Sequence, residues 1–303
     1  MRTDVHQHLW TEPLIAALER RERLPFVRRS GDLCVIHAAG DLPSRVDLAA
    51  ERPGRRAELV DADGLDRAYV ALSSPLGIEA LPRTEAQPLI DAYLDGAVGL
   101  PDVFGAWGPV ALDGCEPADV DAVLARGCVG VSLPAGALGT PRELAALAPL
   151  LERLEQRDAP LFIHPGPGLH ERSAESSLSD PLWWPALTRY VTQMQAAWLS
   201  FVTVGRREHP RLRILFAMLA GGAPLLAERL LARGGPRVDL RDPLTFYDTS
   251  SFGPDAIAAL RTMVGAEQLL YGSDRPVVEP VARGREALAS SAGRLLAAEA
   301  FAL

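Results

Sequence analysis

Two histidines near the start of the chain are separated by a single residue. His6 and His8 lie in the segment Asp4-Val5-His6-Gln7-His8, which resembles a β-strand. Because side chains alternate along a strand, both imidazoles are expected on the same side. Two neutral imidazoles a few ångströms apart can bind one metal ion together. The pair therefore predicts half of a metal site.

Two further residues, each at the end of another strand-like run, could complete this site. His164 follows the apolar residues Leu161–Ile163, and Asp274 follows a similar run near the C-terminus. Three imidazoles and one carboxylate suit Zn²⁺ best, with Mn²⁺ or Fe²⁺ as alternatives. The sequence thus predicts one divalent metal ion, and its expected ligands are His6, His8, His164 and Asp274.

Short β-rich runs that alternate with longer helical runs would position these ligands. Several of the β-rich runs are apolar at consecutive positions, which is typical of parallel strands buried on both sides. Strands one, five and eight would carry the candidate ligands. The predicted strands are Arg2–Leu9, Asp66–Ser73, Phe104–Leu112, Cys128–Leu133, Pro160–His164, Arg213–Leu219, Phe246–Ser250 and Gln268–Ser273.

The helical runs between the strands often open with proline, whose missing N–H costs nothing in the first turn of a helix. The predicted helices are Ala86–Gly96, Pro117–Ala125, Pro141–Arg157, Pro185–Arg206, Pro224–Arg233, Pro254–Val264 and Val281–Leu303.

Eight strand–helix pairs in series predict an α/β fold, a (β/α)8 TIM barrel forming one domain over residues 1–303. The carboxyl ends of all barrel strands open on one face, so ligands from strands one, five and eight can converge there. A doubly wound open sheet is the alternative. It is disfavoured because the first strand is not followed by the glycine-rich dinucleotide motif.

A long insertion, from Trp10 to about Arg56, interrupts the regular spacing after the first strand. It contains a predicted hairpin, Phe26–Arg29 with Leu33–His37. Loops after barrel strands lie over the active site, so the insertion is expected to form a small lid. An arginine of the insertion such as Arg45 could bind a substrate carboxylate, because a guanidinium matches that group bidentately.

Composition excludes several classes of protein. The 303 residues carry a net charge of -8, which argues against nucleic acid as the main partner. No apolar run approaches the ~20 residues that span a bilayer, and no signal peptide is expected, so a cytoplasmic location is predicted. The chain contains no lysine, which excludes a Schiff base, a P-loop and a two-metal site bridged by a carboxylated lysine. Three cysteines without metal-ligand spacing fit a reducing compartment.

Four motifs together resemble the amidohydrolase-related family. They are Asp4-Val5-His6-Gln7-His8, Ile163-His164-Pro165, Phe216-Ala217 with Gly221-Gly222-Ala223-Pro224, and Tyr271-Gly272-Ser273-Asp274. The best-known branch of this family contains amino-carboxymuconate-semialdehyde decarboxylase and related benzoate decarboxylases. The resemblance implies a distorted TIM barrel with one catalytic metal, bound by the same four residues. Barrels of this branch are often dimers, so a homodimer is possible.

One residue departs from the family pattern. The family usually has a histidine after strand six, where it acts as an acid or base, and this chain has Met218. A thioether cannot carry a proton at neutral pH. The general base is therefore expected to be Asp274, with His170 as a second candidate and His37 as a weaker one.

Three functions remain open at this stage. The first is a metal-dependent hydrolase, in which metal-activated water attacks an ester, lactone or amide carbonyl of a small carboxylate-bearing substrate. The second is a metal-dependent non-oxidative decarboxylase of an aromatic or unsaturated acid. The third is a binding protein that has lost catalysis through the change at Met218. The residues expected to contact a substrate are Arg275, Arg45, Trp10, Trp183 and Met218.

Overall fold

The computed structural model describes residues 1–39, 41–171, 180–279, 288 and 292–296. The strands are β1 (Thr3–Gln7), β2 (Phe26–Ser30), β3 (Leu33–His37), β4 (Ser44–Asp47), β5 (Arg67–Val70), β6 (Phe104–Ala106), β7 (Gly108–Pro109), β8 (Val131–Pro134), β9 (Leu161–His164), β10 (Ile214–Phe216), β11 (Thr245–Asp248) and β12 (Leu269–Leu270). The helices are α1 (Glu12–Glu19), α2 (Pro53–Ala62), α3 (Arg83–Val98), α4 (Pro117–Ala125), α5 (Pro141–Ala146), α6 (Ala148–Gln156), α7 (Trp184–Leu187), α8 (Arg189–Ser200), α9 (Arg206–Glu208), α10 (Ala227–Ala232), α11 (Pro254–Val264) and α12 (Gly293–Leu296).

A closed parallel barrel forms the body of the molecule, as the sequence predicts. One run of parallel pairs joins β1, β5 and β6, and a second joins β7 to β12 in chain order. β6 and β7 are two halves of one barrel strand, interrupted at Trp107, whose backbone N–H donates to Val70 O at 2.9 Å. The barrel interior is dry: β9 and β10 have buried side chains at every position.

The barrel closes between its last and first strands. The Val5 N–H donates to Tyr271 O at 2.9 Å, and further along the His8 N–H donates to Arg275 O at 2.7 Å. A parallel bridge joins Gln7 to Arg275. Because β1 is flanked by β5 on one side and by this junction on the other, the sheet has no free edge there. The doubly wound alternative, which needs open edges, is therefore excluded.

A β-bulge distorts the first strand just before its histidines. Asp4 pairs with Ala68 and Gln7 pairs with Val70, so three steps along β1 face two steps along β5. The extra residue redirects the side chains that follow it, as bulges beside functional sites commonly do. The Asp4 carboxylate fixes the bulge, because its Oδ1 accepts the His6 N–H at 3.0 Å and the Ser273 N–H at 3.1 Å.

The insertion after β1 folds into α1 and a small antiparallel sheet. β2 pairs with β3 over Phe26–Ser30, which confirms the predicted hairpin, and β4 adds a third strand. The insertion is shorter at its C-terminal end than the sequence suggested, because α2 begins at Pro53 and serves as the helix that links β1 to β5.

The predicted helices are present, with several differences at their boundaries. Pro117 and Pro254 begin α4 and α11 as expected, whereas Pro141–Arg157 divides into α5 and α6. The region Pro185–Arg206 contains α7, α8 and a π-helical turn before α9. The predicted helix Val281–Leu303 lies largely outside the described residues, of which 293–296 form α12. Among the described residues, no helix has the length and apolar character needed to cross a bilayer.

Gly272, beside the closure, is placed where a side chain would not fit. A Cβ at this position would lie 2.8 Å from Asp248 Cγ and 3.0 Å from His6 Cβ. Gly272→Ala is therefore expected to lower the free energy of unfolding by about 1–3 kcal/mol, the usual cost of overpacking. Urea denaturation measures this change. Gly54→Ala in α2, where nothing lies within 4 Å of the new Cβ, is the matched control and should not be destabilised. Equal stability of the two variants would contradict the packing described here.

Candidate metal centre

Four buried side chains converge at the carboxyl end of the barrel. His6 belongs to β1 and His8 follows it, His164 ends β9, and Asp274 lies shortly after β12. One potential ligand atom from each residue lies within 4.8 Å of all the others. All four residues are at most 8% exposed. The structure thus brings together the four residues that the sequence singles out as metal ligands.

The three imidazoles stand nearly perpendicular to one another. Their ring centroids are 5.0 Å apart for His6 and His8, and 4.9 Å for each of these with His164. The interplanar angles are 90°, 90° and 86°. Stacked rings would direct their nitrogens along parallel lines, whereas three mutually perpendicular rings can point three nitrogens at one position. This arrangement fits a single ion rather than simple packing of aromatic rings.

A hydrogen-bond acceptor at each Nδ1 decides which ring nitrogen faces the shared space. His6 Nδ1 donates to Asp248 Oδ2 at 2.8 Å, and His8 Nδ1 donates to Ala71 O at 2.9 Å. His164 Nδ1 donates to Pro165 O, also at 2.9 Å. With the proton held on Nδ1, each Nε2 keeps a lone pair that can bind a metal ion, as in most histidine metal sites. The Nε2 atoms of His6 and His8 lie 3.2 Å apart.

Asp274 presents a carboxylate oxygen to the same space. Its Oδ1 lies 3.1 Å from His8 Nε2 and 3.5 Å from His6 Nε2. This oxygen is buried and has no hydrogen-bond donor among the residues that the structure describes. A buried carboxylate oxygen without a donor is costly unless a cation neutralises it. The donor set of three neutral imidazole nitrogens and this oxygen therefore fits a divalent first-row metal ion.

The electrostatics of the pocket also favour a cation. Burial lowers the pKa of His6, but the carboxylates of Asp248, Asp274 and Asp4 together outweigh burial and raise that pKa to about 9. Burial, together with the positive charge of its histidine neighbours, holds the pKa of His164 well below its usual range. The surroundings thus stabilise a positive charge near His6 and disfavour a second positive charge on His164. Asp248 and Asp274 supply two negative charges, which match the charge of a divalent ion.

Asp248 is a candidate functional residue that the sequence analysis did not select. It ends β11, is fully buried, and holds His6 through Oδ2. Its Oδ1 accepts the backbone N–H of Met218 at 3.0 Å and that of Ser250 at 2.9 Å. The available signal was a carboxylate inside the seventh predicted strand, Phe246–Ser250, whose observed counterpart β11 ends at Asp248.

A left-handed turn follows β10 at the departure from the family pattern. Met218 has φ 53°, and the next four residues have φ between 50° and 75°. For residues other than glycine this conformation costs roughly 1–2 kcal/mol each, so the surrounding contacts must stabilise it. Asp248 binds the first N–H of the turn, and the Gln195 side chain donates to Gly221 O at 2.9 Å. Met218 is only 8% exposed.

The predicted substrate-binding residues lie in different environments. The Arg275 guanidinium contacts Asp63 at 2.8 Å and Glu279 at 3.3 Å, so its charge is engaged on the far side of Asp274. Arg45 is exposed in β4. Trp10 is buried, and its backbone N–H approaches Glu51 Oε2 at 3.4 Å.

The remaining candidates of the sequence analysis lie on the surface or in the insertion. Trp183 is 56% exposed and packs against Trp184 with ring centroids 5.8 Å apart. His170 is exposed, and its successors 172–179 are outside the described residues. His37 stacks on Phe26 at 4.5 Å within the insertion. Within the described part of the chain, these three candidates make no hydrogen bond, ion pair or ring contact with the four converging side chains.

A cleft beside His164 contains a basic side chain that the sequence analysis did not select. Gly166, Arg189 and Gln193 are among the residues that line it. Gly166 is two residues beyond His164, and its N–H donates to Gln193 Oε1 at 3.1 Å. Arg189 forms an ion pair with Asp41 of the insertion. The loop after β9 and the start of α8 therefore share one wall of this cleft.

Comparison with known proteins identifies the family and the fold. A family model described as amidohydrolase matches residues 3–297. The crystal structure of IDCase from Metarhizium anisopliae, in apo form, is similar with a TM-score of 0.78 at 18% identity, over 99% of this chain and 97% of that one. No curated protein matches the chain significantly.

Two further solved structures contain manganese. One is 5-carboxyvanillate decarboxylase from Novosphingobium aromaticivorans, complexed with manganese and 4-hydroxy-3-methoxy-5-nitrobenzoic acid. It has a TM-score of 0.70 at 20% identity, over 98% of this chain and 96% of that one. The other is a dihydroxybenzoic acid decarboxylase from a Polaromonas species with manganese and the inhibitor 2-nitroresorcinol. It has a TM-score of 0.66 at 15% identity, over 100% and 99% of the two chains.

Asp248→Asn is expected to weaken Mn²⁺ binding about 10–100-fold, the usual effect of removing the partner of a metal-binding histidine. The amide cannot balance the charge at His6, and it can favour the wrong ring tautomer. Titration with Mn²⁺, followed by the electron paramagnetic resonance signal of the free ion, measures the dissociation constant.

Asp242→Asn is the control for this variant. Asp242 forms an ion pair with Arg206 before β11, at the opposite end of the barrel. This variant is expected to melt at a lower temperature and to keep the wild-type affinity for Mn²⁺. If Asp248→Asn bound Mn²⁺ as tightly as the wild type does, Asp248 would have no role at the centre.

Proposed function

The chain belongs to the amidohydrolase family, and from that premise we propose that it is a metal-dependent non-oxidative decarboxylase of a small aromatic acid. The observation that carries the proposal is the buried set of three histidines and one aspartate, with a methionine where an acid or base would be needed for hydrolysis. The proposal reverses the order of the sequence analysis, which placed hydrolysis first.

The solved structures similar to this chain support this change of order. Those with named activities include decarboxylases of 5-carboxyvanillate and of dihydroxybenzoates, and these proteins act on small aromatic acids. At 15–21% identity these structures share the fold with this chain, and their substrates indicate only a class. We therefore propose an aromatic carboxylic acid as the substrate without naming the compound.

Met218 is compatible with decarboxylation, because that reaction needs fewer proton transfers than hydrolysis. Hydrolysis requires a group that removes a proton from water and a group that protonates the leaving atom. Decarboxylation breaks one carbon–carbon bond, releases CO2, and needs one proton at the carbon that keeps the electron pair. A single titratable side chain can deliver that proton. A thioether at residue 218 removes the second acid or base that hydrolysis would use.

The proposed metal ion is divalent, and His6, His8, His164 and Asp274 would hold it. Two of the similar structures contain manganese, which supports Mn²⁺ over the Zn²⁺ that the donor set alone suggested. When bound, such an ion acts as a Lewis acid that orients an anionic substrate and stabilises negative charge. The barrel keeps the surroundings dry, because the residues at the ends of β9 and β10 are buried.

Asp274 is the proposed proton carrier. Its Oδ1 faces the histidines, whereas Oδ2 accepts a long hydrogen bond, at 3.4 Å, from the Ser251 hydroxyl. Oδ2 can therefore accept a proton from a substrate hydroxyl and return it to the carbon that loses CO2. In this scheme Met218 supplies apolar surface against the substrate, and His170 is not required.

The insertion is proposed to close the entrance above the metal centre. It begins after β1, and its Asp41 contacts Arg189 and Tyr190 of α8, the latter through the phenol at 2.8 Å. β1 and β9 are the first and fifth strands of an eight-stranded barrel and lie on opposite sides of it. A segment that reaches from one to the other is proposed to cover the mouth. Arg189, whose charge is paired with Asp41, then holds the insertion against α8.

Release of CO2 tests the proposed reaction. Protein reconstituted with Mn²⁺ is expected to decarboxylate at least one acid from a panel of hydroxybenzoates and carboxyvanillates. Labelled carboxylate carbon, trapped as carbonate, gives the rate. Aryl esters, lactones and amides of similar size should be hydrolysed at least ~10²-fold more slowly, because general acid–base assistance is missing at residue 218. Hydrolysis without CO2 release would overturn the proposal, and metal binding without either reaction would favour the binding protein.

Met218→His restores a titratable side chain and distinguishes the two chemistries. The metal content should remain one ion per chain, and CO2 release should change by less than about tenfold, because Asp274 already supplies the proton. Metal analysis and the same carbon assay measure both quantities. A gain of ~10²-fold or more in ester hydrolysis, with no CO2 release from either protein, would identify a hydrolase that lacks its base.

A further inference from the structure

Arg56 is a buried arginine that contacts none of the four candidate ligands through their side chains. It lies in α2, and its side chain is 1% exposed. Nη1 donates to the carbonyl of His8 at 2.9 Å and to Glu51 Oε2 at 2.7 Å. Nη2 donates to Gln7 Oε1 at 2.7 Å and to the carbonyl of Arg275 at 3.3 Å. One guanidinium therefore joins two backbone carbonyls that lie on either side of the barrel closure.

These two carbonyls belong to the backbone segments that carry two of the ligands. One is the carbonyl of His8 itself, and the other belongs to Arg275, the residue after Asp274. The Arg275 carbonyl also accepts the His8 N–H at 2.7 Å, so the closure and the guanidinium share one acceptor. A shift of either backbone segment would change the 3.1 Å separation of His8 Nε2 and Asp274 Oδ1.

The backbone at Asp274 needs such support. Asp274 has φ 58°, in the left-handed region that residues other than glycine rarely adopt. Its N–H is bound to the carbonyl of His6 at 2.9 Å, and the next carbonyl is bound by His8 and Arg56. Strained conformations persist where surrounding contacts hold them in place. Arg56 is one of the contacts that hold this one.

The ion pair with Glu51 is a poor explanation for keeping this arginine buried. Replacing a buried ion pair with apolar side chains is often neutral or stabilising, so stability alone does not require the pair. Glu51 also approaches the Trp10 N–H at 3.4 Å, where the insertion leaves β1. Arg56 and Glu51 thus fix the chain at Gln7, His8 and Trp10, within and just after the pair of histidines, which is a geometric role.

We propose that Arg56 is a positioning residue of the metal centre. Its planar guanidinium binds the carbonyls of His8 and Arg275 at the same time, and this sets the separation of His8 and Asp274. The inference rests on the metal centre of the proposed function and not on the choice of reaction. It predicts that the shape of the guanidinium matters and that its charge alone is insufficient.

Arg56→Lys tests the proposal because lysine keeps the positive charge but lacks the planar guanidinium that binds both carbonyls. The variant is expected to bind Mn²⁺ about 10–100-fold more weakly than the wild type, as for other residues that orient metal ligands. Equilibrium dialysis against Mn²⁺ gives the dissociation constant without any assay of activity. Thermal melting, followed by circular dichroism, reports stability separately.

Arg206→Lys is the matched control. Arg206 is also largely buried and donates to the carbonyls of His209 and Leu212, but at the opposite end of the barrel. This variant is expected to lose thermal stability and to bind Mn²⁺ with a dissociation constant within twofold of the wild type. A merely structural role for Arg56 would give equal affinities in the two variants, and that result would overturn the inference.

A second variant covers the case in which Arg56→Lys does not fold. Gln7→Met removes the amide acceptor of Nη2, and with it the amide donor to Asp4 Oδ2 at 2.8 Å, and leaves both carbonyl contacts of Arg56 in place. It should weaken Mn²⁺ binding by about threefold to tenfold, and an unchanged constant would count against Arg56. If the wild-type protein binds no Mn²⁺, the proposed metal centre is overturned together with this inference. If the wild type binds Mn²⁺ and Arg56→Lys binds it with the same dissociation constant, only this inference is overturned.

Discussion

The junction between the last and first barrel strands is the constraint on which the metal centre depends. Two backbone hydrogen bonds, from Asp274 N–H to His6 O and from His8 N–H to Arg275 O, connect three of the four ligands through the main chain. Gly272 permits the close approach, and the register of β1 shifts between Asp4 and Gln7, at the first of the two histidines. The ligand separations therefore follow from how the barrel closes and not from the side chains alone.

The charges around this junction set what the site can bind. Three imidazoles whose Nδ1 atoms are occupied leave lone pairs directed inward, and two buried carboxylates balance a divalent cation. Asp248 contributes to both features, since it holds His6 and also binds the first N–H of the left-handed turn at Met218. The same carboxylate thus links the metal ligands to the residue that distinguishes this chain from its family pattern.

The sequence predicts the local features of the site well because they depend on short-range patterns. His6, His8, His164 and Asp274 each end or occupy an apolar strand-like run, and barrel strands align their ends. Other features depend on partners far along the chain. In the sequence, Arg275 beside Asp274 suggests a guanidinium that is free to bind a substrate. In the structure it pairs with Asp63, at the C-terminal end of α2 and 212 positions away along the chain. The contacts of Arg56 and Asp248, and the left-handed turn at residue 218, likewise become visible only once the barrel is closed.

The central claim is that four side chains hold one divalent ion at the end of the barrel. Anomalous X-ray diffraction at the manganese edge, from crystals of Mn²⁺-reconstituted protein, tests it most directly. The account predicts one strong peak within bonding distance of Nε2 of His6, His8 and His164 and of Asp274 Oδ1. A map without a peak there, or with its main peak among other side chains, would contradict it.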